Sequence, residues 1–209
     1  MSLEELKSKL STRLKQALPG GIAHELMRAQ SIGNIIPNFE HKLPPKPGSV
    51  LILLYEEDGI IKFPLTKRQE YAGAHSGQIS FPGGKAEPDE DVIQTALREA
   101  HEEIGADLNT VEVLGRLSDF FVIPSNFLVV PIVAITSQKV FVPDPFEVAR
   151  ILSGNIFDLI HNEAIKQKEI LAAGKYAMMA PHFEIEGEVV WGATAMMLNE
   201  FRLILKEVL

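Results

Sequence analysis

An acidic helical pattern within residues 84–106 is the feature that most constrains how this chain of 209 residues can fold. Three carboxylates stand at positions i, i+3 and i+4, which share one face of an α-helix: Glu99, Glu102 and Glu103. A neighbouring face carries the apolar residues Ile93, Ala96, Leu97, Ala100 and Ile104. Pro88 suits a first helical turn, and Gly105 suits the residue just after a helix. The pattern predicts a helix that buries one stripe while its acidic edge lines a cleft.

Carboxylates that crowd one edge of a helix repel one another unless a cation or a basic group compensates. Mg²⁺ and Mn²⁺ prefer oxygen ligands, and Mg²⁺ usually combines one or two carboxylates with waters and substrate phosphate oxygens. Gly83 and Gly84 lie just upstream and allow the backbone to approach a metal ion and phosphates closely. A solvated acidic helix face is the alternative reading, but the nearby glycines favour a metal site.

Glu90 and Arg98 suggest a structural role rather than metal binding. A half-buried arginine needs a carboxylate partner and can hold one in bidentate geometry. The sequence therefore predicts an ion pair that supports the local architecture. The alternative is two independently solvated surface charges.

The spacing of these residues is similar to that of a known family motif. Five residues separate Gly84 from Glu90, seven separate Glu90 from Arg98, and REAHEEIGA closes the stretch. This resembles an intact Nudix box. The resemblance implies an α/β/α sandwich of the Nudix type, with a mixed sheet and a catalytic loop-helix, and Mg²⁺- or Mn²⁺-dependent hydrolysis of nucleoside diphosphate derivatives.

The resemblance also implies roles for individual residues. Glu99, Glu102 and Glu103 are the predicted metal ligands, with the Gly84 carbonyl as a further oxygen, and Arg98 supports them. The general base is one of the ligand glutamates or Glu147, which lies in a segment similar to the EV motif of a Nudix subfamily; for Glu147 a surface carboxylate at a strand edge is the alternative.

The segment PLTKRQEYAGAHSGQISFPGG, residues 64–84, resembles the signature of coenzyme A diphosphatases within the Nudix superfamily. Further likeness lies at residues 123–127, 143–148 and 191–195. Pro64, Gln69 and Gly73 depart from the signature, and Gly73 stands where the family has an arginine that could bind a phosphate. The candidates for substrate contact are Lys67, Arg68, His75 and Gly77, each of which could instead be an ordinary strand-end or loop residue.

The resemblance predicts cleavage of coenzyme A to 3′,5′-ADP and 4′-phosphopantetheine, or of its thioesters to the acyl form. Two alternatives stay open. Gly73 favours ADP-ribose, a dinucleotide polyphosphate or another nucleoside diphosphate derivative as the substrate. A non-catalytic ligand-binding module on the same fold would be favoured by loss of the box carboxylates, all of which are present.

Composition narrows the class of protein. The formal net charge of −8 argues against nonspecific binding to nucleic acid or to an anionic membrane. A nucleotide substrate remains compatible with this charge, because a bound metal ion supplies local positive charge. The chain has no cysteine, which excludes disulfides and thiolate sites. No apolar run suggests a membrane span or a signal peptide, so we expect a cytoplasmic enzyme.

The remaining sequence predicts one domain over residues 1–209 with an N-terminal helical extension at about 1–45. Ser2 and Glu5 form a capping-box signal, and a leucine stripe follows that packs on the domain or on a second subunit, so a homodimer stays open. Residues 36–48 predict an extended proline-rich connection. Strands are predicted at 50–55 and 60–65, joined by a hairpin turn, and at 111–122, 127–135 and 183–191, the last with a turn at Glu186 and Gly187. Helices are predicted at about 155–168 and 193–208.

Overall fold

The computed structural model describes residues 1–32, 39–69, 77–172 and 174–209. In chain order its elements are α1 (Leu3–Arg13), α2 (Gly21–Glu25), β1 (Gln30–Ser31), β2 (Lys46–Glu57), β3 (Ile60–Arg68), β4 (Ile79–Ser80), β5 (Gly83–Lys85), α3 (Val92–Ile104), β6 (Val111–Arg116), β7 (Phe120–Val122), β8 (Phe127–Thr136), β9 (Val148–Asn155), α4 (Ile156–Ile160), β10 (Lys166–Ala172), β11 (Tyr176–Ile185), β12 (Glu188–Val190) and α5 (Gly192–Val208).

The central sheet has the strand order β4-β3-β2-β8-β6, with β5 paired to β2, β7 to β8 and β9 to β3. Strands β2 and β8 run parallel, whereas the other pairs in this sheet are antiparallel. A smaller antiparallel sheet contains β1, β11 and β10, and β12 pairs with β11. The mixed sheet that the sequence predicted is therefore present.

Alternating side chains of β2 divide the core into two layers, because successive residues of a strand point to opposite faces of the sheet. Ile52 and Leu54 pack in a cluster that also contains Leu6 of α1 and Phe201 of α5. Leu51 and Leu53 pack instead against the apolar face of α3, namely Ala96, Ala100 and Ile104. Helices thus cover both faces of the sheet, which gives the predicted α/β/α sandwich.

Several local predictions are confirmed. Ser2 and Glu5 form the capping box that begins α1, and Leu6 and Leu10 are its buried face. The loop between β2 and β3 is the two-residue turn Asp58–Gly59, and both residues have positive φ, as a tight hairpin of this length requires. The predicted turn at Glu186 and Gly187 joins β11 to β12 in the same way. Residues 36–38 of the proline-rich connection lie outside the described residues, and residues 46–48 belong to β2.

Other local predictions are wrong. The helix expected at 155–168 ends at Ile160, and Lys166 begins β10, which pairs with β11 along its length. Cross-strand pairing with a distant segment overrides the local apolar pattern there. The strand expected at 111–122 is two strands, β6 and β7, with residues 117–119 between them. The segment 148–155 is β9, for which the sequence predicted no strand.

No helix in the described ranges is both long enough and apolar enough to cross a bilayer.

Candidate active site

Helix α3 is fixed at both ends by its own sequence. Asp91 caps its N-terminus by accepting the N–H groups of Ile93 and Gln94, and the Gln94 side chain accepts the N–H of Asp91. The helix therefore begins at Val92, and the expectation that Pro88 occupies its first turn is wrong. Gly105, in the left-handed conformation, ends the helix as predicted. Ile93 is exposed rather than part of the buried stripe, so the remaining apolar face orients the acidic edge toward β5.

Glu103 is the most deeply buried of the predicted metal ligands, with 3% of its side chain exposed. Its Oε2 accepts the Gly83 N–H at 3.3 Å, and its Oε1 lies 3.7 Å from Nη2 of Arg68. Burial raises the pKa of Glu103 to about 7, although Arg68 and the Gly83 N–H oppose this rise. In the absence of further positive charge, Glu103 carries its negative charge at a substantial energetic cost.

Glu99 lies against the glycine loop, the short segment Gly83–Lys85 that forms β5. A Cβ atom built on Gly84 would lie 2.5 Å from Oε1 of Glu99, so only glycine allows this carboxylate to pack on the loop. A Cβ atom on Gly83 would lie 2.4 Å from the carbonyl oxygen of Ser49 in β2, so the second glycine is required by the sheet. Burial also raises the pKa of Glu99, while Arg98 opposes this effect.

Arg98 forms the predicted ion pair with Glu90 and makes further contacts. Its Nε and Nη2 donate to the two carboxylate oxygens of Glu90 at 2.6 and 3.1 Å, and its Nη2 also donates to the Lys85 carbonyl. Its Nη1 lies 2.9 Å from one oxygen each of Glu99 and Glu102. The Arg98 hydrogen bonds lower the pKa of Glu90 to about 2. The half-buried arginine therefore joins three carboxylates to the glycine loop.

The three predicted ligands are brought to one edge of α3, but they have different surroundings. Glu99 and Glu102 both contact Arg98, Glu103 contacts the Gly83 N–H, and the Glu102 side chain is 56% exposed. Among the described residues, no group of three acidic, histidine or cysteine side chains is gathered closely enough to hold a metal ion. The donor set still fits a hard divalent ion, because its donors are oxygens, and burial raises the pKa of both the buried Glu103 and the half-buried Glu99.

Glu147 belongs to an exposed turn at residues 145–147, after β8 and directly before β9. Its charge is near enough to Glu99 and Glu103 to add to the rise that burial causes in the pKa of both. The structure therefore places this predicted candidate base near Glu99 and Glu103, although its side chain is exposed.

Comparison with known proteins identifies the family. A family model described as NUDIX domain matches residues 45–152, which contain the glycine loop, α3 and the Glu147 turn. The chain belongs to the Nudix family. Among its relatives, Nudix hydrolase 22, chloroplastic, of Arabidopsis thaliana is 37% identical over 163 residues, which cover 74% of this chain and 53% of the relative. Nudix hydrolase 3 of Caenorhabditis elegans is 32% identical over 168 residues, which cover 73% and 70%.

The Nudix hydrolase NudL of Yersinia pestis (strain Pestoides F) is 30% identical over 205 residues, which cover 84% of this chain and 95% of that protein. By contrast, the chain spans about half the length of the two Arabidopsis relatives, 53% and 56%. These relationships confirm the predicted family.

Solved Nudix structures share the fold at low sequence identity. RenU of M. smegmatis superposes with a TM-score of 0.55 at 14% identity, covering 80% of this chain and 89% of that one. An Ap4A hydrolase of C. elegans superposes with a TM-score of 0.51 at 17% identity, covering 78% and 98%. At this identity the likeness concerns the fold alone.

Of the two basic residues Lys67 and Arg68, which precede the Nudix box, only Arg68 reaches the carboxylate site. Arg68, at the end of β3, reaches Glu103, whereas Lys67 points elsewhere and pairs with Glu188 of β12 at 2.7 Å. Gly77 has a positive φ of 66° in the turn before β4. His75 and Gly73 lie outside the described residues.

Two contacts at the site were not predicted from the sequence. Arg68 was a candidate for phosphate binding, but its contact with Glu103 depends on the pairing of β3 with its neighbours. Asp144 accepts backbone N–H groups in the Glu147 turn. An aspartate two or three residues before the chain turns is a recognised turn signal, so the segment PDPFEV could have indicated this role.

Proposed function

We propose that this Nudix protein hydrolyses the diphosphate bond of coenzyme A or its thioesters with Mg²⁺ or Mn²⁺, giving 3′,5′-ADP and 4′-phosphopantetheine or its acyl form. The observation that carries the reaction type is the Glu103 carboxylate, which is buried beside the Gly83 N–H and Arg68 and carries a raised pKa. Burial of an ionisable group that makes its charged form energetically costly indicates a functional site.

Glu99, Glu102 and Glu103 would hold the metal ion, and the Gly84 carbonyl is a further donor. A bound divalent ion supplies positive charge for phosphate oxygens and lowers the pKa of an attacking water. Arg98 orients Glu99 and Glu102 through its Nη1, while Glu90 holds the guanidinium in place. The packing of Glu99 on Gly84 supports the same assignment, because it keeps a carboxylate and a backbone carbonyl on one small loop.

A proton leaves the attacking water during hydrolysis, and a carboxylate at the site has to accept it. Glu103 has a pKa near neutrality, which suits proton transfer, but a glutamate that binds the metal is less free to act as a base. Glu147 is exposed and lies near both Glu99 and Glu103. We therefore assign the proton acceptor to Glu147 first and to a ligand glutamate second.

The coenzyme A assignment depends on the segment before the Nudix box. It is supported by the matching residues Leu65, Thr66, Arg68, Gly77, Phe81, Pro82, Gly83 and Gly84. Arg68 lies at the edge of the carboxylate site, where a guanidinium can contact a substrate phosphate once a metal ion has neutralised Glu103. Gly73 in place of the family's arginine favours the second candidate, hydrolysis of ADP-ribose or another nucleoside diphosphate derivative.

A substrate panel separates these candidates. The full chain is incubated with Mg²⁺ or Mn²⁺ and coenzyme A, acetyl coenzyme A, ADP-ribose or diadenosine tetraphosphate, and products are identified by mass. Release of 3′,5′-ADP from the coenzyme A members alone is the expected result. Turnover of ADP-ribose or the dinucleotide alone overturns the substrate assignment.

Two controls test the reaction type. Chelation with EDTA should abolish product formation, and the Glu103→Gln variant should lose turnover at saturating Mg²⁺. Near-normal turnover in that variant contradicts the metal-site assignment. Binding of a panel member without any product would favour the non-catalytic alternative.

A further inference from the structure

Residues 142–144 dock on the C-terminal end of α3. The Val142 N–H donates to the Ile104 carbonyl at 3.0 Å, and the Asp144 N–H donates to the Glu103 carbonyl at 2.9 Å. The last carbonyls of a helix have no partner within the helix, so these bonds satisfy groups that need one. The Asp144 backbone is thereby fixed to the residue that carries the buried carboxylate.

The Asp144 carboxylate organises the turn that follows. Its Oδ1 accepts the Phe146 N–H at 2.7 Å and the Glu147 N–H at 3.2 Å. The Asp144 carbonyl accepts the Val148 N–H at 2.9 Å and closes the turn where β9 begins. An aspartate that accepts backbone N–H groups two and three residues ahead stabilises such a turn locally. One residue therefore holds both the amide of Glu147 and the segment that leads to it.

The opposite side of the turn is attached to the end of β3. The Gln69 N–H donates to the Glu147 carbonyl at 3.0 Å, and the Gln69 side chain donates to the Pro145 carbonyl at 3.1 Å. Gln69 directly follows Arg68, which reaches Glu103. The turn thus bridges the two elements that supply Glu103 and Arg68 to the site.

We propose that Asp144 is a positioning residue, whose carboxylate holds the turn so that the Glu147 side chain stays near Glu99 and Glu103. This inference rests on the proposed function, since the placement of Glu147 matters for turnover only if those carboxylates form the metal site. Asp144 itself contacts backbone groups, so its effect on the reaction passes through Glu147. The chemical step then depends on Asp144, whereas substrate binding depends on it much less.

Three variants of the full chain test the role. Asp144→Ala removes the acceptor, and Asp144→Asn keeps an oxygen that can accept both N–H groups. Asp107→Ala is the matched control, because Asp107 accepts the Asn109 N–H at 3.1 Å in another turn after α3, away from the carboxylates. We expect Asp144→Ala to lower kcat by about 10–100-fold, as loss of an outer-shell partner does. The KM of Asp144→Ala should change by less than about threefold. Asp144→Asn should keep most of the wild-type kcat, and Asp107→Ala should have the wild-type kcat.

A double variant distinguishes positioning from general destabilisation. In a Glu147→Gln background, adding Asp144→Ala should lower kcat no further, because both changes remove the same contribution. A further independent loss of similar size would overturn the proposal. So would equal kcat values for Asp144→Ala and Asp107→Ala.

Two readouts do not require turnover. The Glu147 amide should exchange its hydrogen faster in Asp144→Ala and at the wild-type rate in Asp144→Asn. Titration with Mn²⁺ alone should show the same weakening for Asp144→Ala and Glu147→Gln, because the first displaces and the second neutralises the Glu147 carboxylate near Glu99 and Glu103. If the wild type hydrolyses no panel member, the proposed function fails, whereas amide exchange and Mn²⁺ affinity that do not respond to Asp144→Ala refute the positioning role itself.

Discussion

Arg98 binds Glu90 through two parallel hydrogen bonds, at 2.6 Å from Nε to Oε1 and at 3.1 Å from Nη2 to Oε2. The Thr95 hydroxyl donates to the same carboxylate at 3.0 Å. The remaining guanidinium nitrogen, Nη1, contacts Glu99 and Glu102. A planar guanidinium with its orientation fixed on one side presents its other donors in a defined direction. The acidic edge of α3 is therefore ordered by Arg98 rather than left as free surface charge.

Low pH should lower the free energy of unfolding, because Glu90 becomes protonated. The pKa of Glu90 is lowered from 4.5 to about 2 by its hydrogen bond with Arg98, so the folded state holds the charged form more strongly than the unfolded chain does. This contribution to stability is fully present above about pH 4.5 and is lost as the pH falls toward 2. Chemical denaturation of Glu90→Gln and wild type should show a stability difference at pH 7 that shrinks below pH 4.

The double variant tests the cause of this pH dependence. In an Arg98→Met background the folded-state pKa of Glu90 should return toward its usual value. The effect of Glu90→Gln on the free energy of unfolding should then no longer depend on pH in the acid range. An unchanged pH-dependent difference in that background would show that Arg98 does not cause the effect.

Glu103→Gln should stabilise the metal-free protein at alkaline pH while removing activity. The folded-state pKa of Glu103 is raised from 4.5 to about 7, so charging this carboxyl costs folding free energy as the pH rises through that window. The cost is absent below about pH 4.5 and complete above about pH 7. With about 1.4 kcal/mol per pKa unit, replacement by glutamine should raise the free energy of unfolding by roughly 3 kcal/mol at pH 8 and by little at pH 4.

Thermal unfolding in EDTA at pH 4, 6 and 8 measures this difference. A stability gain that does not grow with pH would contradict a buried charge as its source. Addition of Mg²⁺ at pH 8 should raise the melting temperature of the wild type and leave that of Glu103→Gln nearly unchanged, because a ligand that binds the folded state stabilises it.

Gly84→Ala should disrupt the site with little effect on the fold. The new methyl group would lie 2.5 Å from Oε1 of Glu99, so the carboxylate has to move away from the loop. Displacement of one ligand should weaken Mn²⁺ binding and lower kcat by about 10–100-fold. Gly21→Ala is the matched control, since nothing lies within 4 Å of a Cβ atom at that position in α2. Wild-type Mn²⁺ affinity in Gly84→Ala would refute the close packing of Glu99 on the loop.

The sequence predicted the site best where function depends on local spacing. Glu99, Glu102 and Glu103 share one helix edge because of the helical repeat, and Arg98 reaches Glu90 because the helix begins between them. The helical pattern wrongly predicts a helix beyond Ile160, because the strand that pairs with Lys166–Ala172, β11, lies further along the chain. Local patterns cannot report such pairing.

The contacts of Lys67 and Arg68 likewise depend on strand pairing that the local sequence does not reveal. Both are basic residues of one segment, and the sequence treated both as candidates for phosphate contact. Side chains of neighbouring strand residues point to opposite faces, so only one of the two can face α3. Which one does so is set by the register of β3 against β4 and β9, with its irregularity between these two residues.

Arg68→Met and Lys67→Met should consequently differ in their effect on substrate. Arg68 lies 3.7 Å from Glu103, so its loss should raise KM for coenzyme A about tenfold by removing a guanidinium near the substrate phosphates. Lys67 pairs with Glu188 on β12 at 2.7 Å, with both side chains partly exposed, so its loss should cost less than about 1 kcal/mol of stability and leave KM unchanged. Methionine preserves most of the apolar stem at both positions, and initial-rate kinetics at saturating Mg²⁺ compare the two variants. An increase in KM for Lys67→Met equal to that for Arg68→Met would mean that Lys67 leaves Glu188 to bind the substrate.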